Sequence, residues 1–118
     1  MRAMATPRDV SVELQDGGIM VAPWSVSINI KKGGSGYPDF IKWHGKGCRI
    51  KIEPDQPDHF SPRLPEKYKG TVDGYIDEKV PNGTYKYRVS LLESKANDAA
   101  EDDAVAVYSV DPDYKVDR

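Results

Sequence analysis

A chain of 118 residues falls in the size range of one domain with one core. Its hydrophobic fraction is 38% and its charged fraction 31%, with two Phe, two Trp and seven Tyr; the core must rest on Val, Ile, Leu and Tyr, and the composition is not that of a disordered segment. A net charge of −2 exerts no global pull toward nucleic acid or an anionic membrane, and the apolar runs fall far short of the roughly 20 residues needed to span a bilayer.

The opening segment holds Arg2 and Arg8 but no apolar stretch of the secretory kind. Cys48 is the single cysteine, so no intrachain disulfide can form. Both features suit a cytoplasmic location, or a chain whose leader has been removed. Residues 1–8 read as flexible, within one domain spanning 1–118.

No stretch sustains apolar positions at helical spacing, whereas short alternating runs bounded by Gly, Pro, Asn and Asp recur throughout. Val10, Val12 and Leu14 alternate with polar residues, and Asp16-Gly17-Gly18 supplies a turn. Val26, Ile28 and Ile30 alternate with Ser25, Ser27 and Asn29 in a half-buried strand closed by Lys31-Lys32-Gly33-Gly34. Phe40 to Trp43 and Cys48 to Ile52 read as a pair of strands joined by His44-Gly45-Lys46-Gly47. Parity turns Ile41, Trp43, Cys48, Ile50 and Ile52 inward and Lys42, Arg49 and Lys51 outward. The stretch 54–66 carries Pro54, Pro57, Pro62 and Pro65, too many missing amide donors for a central strand, and reads as an irregular crossing between sheets.

Thr71 to Ile76 reads as a short strand. Asn82-Gly83-Thr84 matches a glycosylation sequon, but Asn-Gly is first a tight-turn signal. The turn leads into the clearest strand, Thr84 to Leu92, with Tyr85, Tyr87, Val89 and Leu91 inward and Lys86, Arg88 and Ser90 facing water. The acidic, Ala-rich segment 95–103 reads as a mobile loop. Ala104 to Val110 and Tyr114 to Val116 form the last two strands, interrupted by Asp111-Pro112-Asp113. The expectation is an all-β Greek-key sandwich of about seven to eight strands, the pattern that short strands punctuated by turns produce.

Two stretches carry a family resemblance. The first runs from Ile19 to Ile52: an apolar strand, Pro23, the alternating strand Val26 to Ile30 ending in Lys-Lys-Gly, then Phe40-Ile41-Lys42-Trp43, a glycine-containing loop and Cys48-Arg49-Ile50-Lys51-Ile52. The second is Gly83-Thr84-Tyr85-Lys86-Tyr87-Arg88-Val89. Their order resembles that of the cupredoxins, the Greek-key sandwiches of plastocyanin and its relatives. That resemblance implies a histidine ligand where Cys48 stands and a thiolate ligand where Val89 stands. Neither residue is the expected one, no His follows His59 and no Met follows Met20. A blue-copper site needs two His and one Cys, usually with a weak axial ligand, so the ligand set does not carry over and no cofactor is expected.

Other chemistry rests on few residues. His44, Cys48 and His59 would suit a three-ligand metal or redox site, although they lack the paired spacing that zinc sites favour; the alternative is a small buried thiol and two solvated imidazoles. No nucleophile elbow, phosphate loop or dinucleotide fingerprint occurs, and Glu53, Asp55 and Asp58 lie in polar, Pro-rich surroundings, which argues against an enzyme. Lys31, Lys32, Lys42, Lys46, Arg49 and Lys51 with Tyr37 and Trp43 resemble a basic face for single-stranded nucleic acid. Against this, Trp43 is inward by parity and acids follow at once. Tyr37, Phe40 and Phe60 are loop or loop-edge aromatics, either pinned onto the core or offered to a partner. The expectation is a non-catalytic interaction or accessory module, bound to a protein partner or a fused domain, with Tyr37, Phe40, Phe60, Lys42, Arg49 and Lys51 as candidate contacts.

Overall fold

The computed structural model describes residues 7–30, 39–93 and 107–117. Nine strands follow in order: β1 Pro7–Gln15, β2 Gly18–Ala22, β3 Ser25–Asn29, β4 Phe40–Gly45, β5 Cys48–Pro54, β6 Thr71–Gly74, β7 Gly83–Glu93, β8 Val107–Val110 and β9 Asp113–Asp117. A 3-10 turn, Pro57–His59, lies within the Pro-rich crossing, and the described residues hold no α-helix. No described helix is long and apolar enough to cross a membrane. Pro7 and Arg8, at the end of the stretch read as flexible, are paired in β1.

The strands form two mixed sheets. The first has the order β2-β1-β4-β6, and the second β3-β9-β7-β5 with β8 also beside β7. The pairs β1–β4 and β3–β9 are parallel and the others antiparallel. The β1–β2 hairpin turns through Asp16 and Gly17, whose φ angles of 50° and 79° are those of a two-residue turn with both central residues left-handed. Asp-Gly is suited to this turn because Gly meets no Cβ clash at positive φ and Asp tolerates it.

Alternation along each strand sends one set of apolar side chains into a shared core, as in a β-sandwich. Val10, Val12, Ile41, Trp43 and Val72 of the first sheet meet Val26, Ile28, Ile50, Ile52, Tyr87, Val89, Leu91, Tyr114 and Val116 of the second. All five residues placed inward around the 44–47 connection are buried. Two readings need correction. The strands β4 and β5 do not pair: β4 lies between β1 and β6, and β5 lies beside β7 in the other sheet. The connection crosses the sandwich in a close fold-back: a Cβ on Gly45 would sit 2.5 Å from the Cys48 carbonyl oxygen, and Gly47 takes φ +67°. Ser90, read as facing water, is 5% exposed, because β7 is flanked there by Lys51 of β5 and Ser109 of β8.

The last two strands act as one. Val110 stands opposite Val89 and Asp113 opposite Lys86, with two residues between them on each side, so register carries through the interruption. Pro112 has no N–H for a ladder, yet its carbonyl still accepts the Tyr87 N–H at 3.1 Å. The segment 95–103, read as an acidic loop, lies outside the described residues, as do Lys31, Lys32 and Tyr37.

Candidate functional site

The order of the second sheet leaves β5 at its edge. One short contact covers the start of that edge: the Ile50 N–H donates to the Lys69 carbonyl and the Lys69 N–H to the Ile50 carbonyl, both at 2.8 Å. In an antiparallel ladder each residue points both backbone groups to the same side and its neighbours point theirs to the other. Ile50 faces Lys69, so Ile52 also faces away from β7. No backbone hydrogen bond outside the regular strands engages Ile52 among the described residues.

Beside Ile52 lies a groove of about 680 Å³, walled by residues 51–54 of β5 and by Pro57 and residues 63–66 of the crossing. The volume lies in the range of ligand-binding clefts. Its cations already have contacts: the Arg63 guanidinium is 2.7 Å from an Asp58 carboxylate oxygen, and the Lys51 ammonium lies 5.0 Å from the Tyr68 ring centroid. The Glu53 and Glu66 carboxylates have no ionic or hydrogen-bond partner among the described residues, and Arg88 stands opposite Glu53 in the β5–β7 register.

An aromatic cluster holds the far wall in place. Phe60 is 2% exposed, 6.1 Å from Trp43 and 5.3 Å from Tyr114 between ring centroids, and bridges to Ile76. It is therefore a core anchor, which removes it from the candidate partner contacts. The preceding His59 brings Nδ1 to 2.9 Å from the Tyr114 hydroxyl and sets its ring edge-on to Tyr85 at 4.4 Å. Tyr85 in turn donates its hydroxyl to the Pro81 carbonyl at 2.7 Å, four residues back, in the manner of a tyrosine corner. Burial lowers the His59 pKa, with Asp58 opposing, and burial raises that of Tyr114, helped by Tyr85 and Asp55.

The proposed metal trio is dispersed. His44 lies on the outer face of the first sheet, its Nε2 2.8 Å from Asp9. Cys48 is buried, its thiol donating to the Val12 carbonyl at 3.7 Å, and burial pushes its pKa upward, away from the thiolate that metals and nucleophilic catalysis require. Cys48 stands opposite Glu93, whereas the partners of His59 include Tyr85, eight positions back along β7. At about 3.3 Å per residue those positions are roughly 25 Å apart. Among the described residues no group of three or more His, Cys, Asp or Glu is placed to hold a metal ion. Cys48 and Val89 are likewise out of step, since Val89 faces Ile52.

The remaining candidates fall on both sheets. Phe40 stacks on Tyr75 at 4.6 Å, and Lys42 pairs with Asp73 at 3.5 Å, both on the first sheet. Arg49 and Lys51 belong to β5 of the second, and of the candidate contacts among the described residues only Lys51 lines the groove. The sequence missed Leu64, Glu53 and Glu66 as groove residues; the one signal for them was the density of prolines that keeps the crossing from joining the sheet. Fold and site together define a two-sheet β protein with a strand edge beside a groove lined by two acidic and two basic side chains. Comparison with protein-family models, curated proteins and solved structures finds no match.

Proposed function

We propose that this chain is a copper-free, cupredoxin-like Greek-key module that works by binding a partner chain at the β5 groove and not by catalysis. The carrying observation is the dispersal of His44, Cys48 and His59: each makes its own local contact, while the β5 edge keeps an open groove. Two connections, β2 to β3 and β4 to β5, pass from one sheet to the other, as a two-sheet sandwich requires. The thiolate position of the cupredoxin resemblance is Val89, fully buried and without a donor atom. The single cysteine suits a reducing, cytoplasmic setting.

The test is elemental mass spectrometry of freshly purified protein, with a visible spectrum recorded as copper(II) is added. The expected result is no stoichiometric metal and no intense visible band, unchanged in Cys48→Ser. Stoichiometric copper with such a band, lost in Cys48→Ser, overturns the copper-free reading.

A further inference from the structure

We propose that Tyr114, hydrogen-bonded to His59, is a one-electron redox site: a diffusible one-electron oxidant converts it to a neutral tyrosyl radical as its phenolic proton passes to His59 Nδ1. This activity goes beyond partner binding and is independent of it.

Tyr85 and Tyr87 of β7 both lie near Tyr114 of β9, at 5.6 and 6.0 Å between ring centroids. The three hydroxyls differ in what they touch. That of Tyr85 donates to the Pro81 carbonyl at 2.7 Å, and that of Tyr87 accepts the Trp43 indole N–H at 3.1 Å. Neither partner holds a phenolic proton, since an amide carbonyl is a very weak base and an indole N–H is only a donor. Asp113 acts on Tyr87 electrostatically but makes no hydrogen bond through Oδ1 and turns Oδ2 to Lys86 at 3.7 Å. Tyr114 alone of the three sets its hydroxyl against an imidazole, 2.9 Å from His59 Nδ1, within reach of direct proton transfer. With the ring proton on Nε2, Nδ1 is the acceptor.

Burial couples the two transfers. Tyr114 is fully buried, and burial, with Tyr85 and Asp55, raises its pKa, so the phenolate is disfavoured and the electron leaves as the proton leaves. Burial also favours the neutral His59 ring, which is the form able to accept that proton, and the nearby Asp58 favours the imidazolium once it has formed. The half-buried Tyr85 ring lies against His59, at 4.4 Å, as well as against Tyr114, so an oxidant in solution reaches the pair across one ring without entering the core. Atoms and electrons balance: the oxidant gains one electron, the Tyr114 O–H bond breaks, and an N–H bond forms at His59 Nδ1. A one-electron reductant, with return of the proton, restores both side chains. Enclosure keeps the phenoxyl from coupling with a second radical, so it outlives one formed on an exposed ring such as Tyr75.

The probe oxidant is ruthenium(III) tris-bipyridine, generated beside the full chain by a light flash with a cobalt(III) ammine as electron acceptor, and the sample is frozen for electron paramagnetic resonance. The expected result is a neutral tyrosyl signal that persists after the radicals on exposed rings have decayed, and that forms more slowly in heavy water. With histidine carrying the heavy nitrogen isotope, double-resonance spectra should couple this radical to an imidazole nitrogen; the other histidine, His44, is held by Asp9 on the outer face of the first sheet. The persisting signal should be lost in Tyr114→Phe, largely lost in His59→Asn, which keeps a hydrogen-bond acceptor but not a base, and retained in Tyr75→Phe. Absence of a persisting signal in the wild-type chain, absence of the nitrogen coupling, a full signal in Tyr114→Phe or His59→Asn, or its loss in Tyr75→Phe overturns the proposal. The labelled wild-type chain carries the first two readouts by itself, so a variant that fails to fold still leaves the proposal decided.

Discussion

His59 joins the Pro-rich crossing to the sheet through the Tyr114 hydroxyl, with Tyr85 against its ring and Asp58 beside it in the chain. Burial holds its pKa below the ordinary 6.5, so the fold favours the neutral ring, while the unfolded chain binds a proton near the ordinary value. The sign follows from that order. Stability is complete above the unfolded pKa, declines as pH falls from there toward the lower folded pKa, and levels off below it. The urea midpoint should therefore drop between about pH 7.5 and about pH 5.5, and the drop should shrink in His59→Asn, whose Oδ1 takes the place of Nδ1 beside the Tyr114 hydroxyl. An equal drop in that variant refutes the assignment. At this scale the sequence was legible wherever alternation operated: Ile41, Trp43, Ile50 and Ile52 are inward because period two is a local property of a strand. Phe60 has prolines for neighbours and no period, so its burial is decided by Trp43 and Tyr114, residues distant in the chain.

Strands β4 and β7 lie in different sheets, yet the Trp43 indole N–H donates to the Tyr87 hydroxyl at 3.1 Å across the core. Both side chains are fully buried, and burial pushes the Tyr87 pKa up to about 12. Removing the hydroxyl strands a buried indole N–H. Tyr87→Phe is expected to lower stability by about 1–3 kcal/mol, the cost of an unsatisfied buried donor. Trp43→Phe removes the donor as well as packing volume, and adding Tyr87→Phe to it should cost less than Tyr87→Phe alone, because no N–H remains to be stranded. Chemical denaturation of the three variants measures the cycle, and strict additivity would show that the bond contributes nothing. Strand existence was readable from the sequence, as β3, β5 and β7 show, but partnership was not. A short glycine connection serves a hairpin and a sheet-to-sheet crossing equally well, and the crowding at Gly45 that accompanies the crossing appears only in three dimensions.

Over the whole molecule, the basic residues that read as one face belong to two. Lys42 projects from the first sheet, paired with Asp73, and Arg49 and Lys51 project from the second, on the other side of the core. Trp43, one of the two aromatics that reading used to stack bases, is fully buried between the sheets, and the other, Tyr37, lies outside the described residues. Single-strand binding without sequence preference needs a continuous basic track with exposed rings, and phosphate contacts from opposite faces cannot act on one strand of modest length. Near-neutral net charge adds no long-range attraction, and the unpartnered Glu53 adjoins Lys51. Mobility-shift assays with single-stranded oligonucleotides at low ionic strength, where phosphate contacts are strongest, should show no complex. A salt-sensitive complex weakened by both Lys42→Gln and Lys51→Gln would mean that one strand wraps both sheets, and would shift the functional surface from the β5 edge to the perimeter of the sandwich.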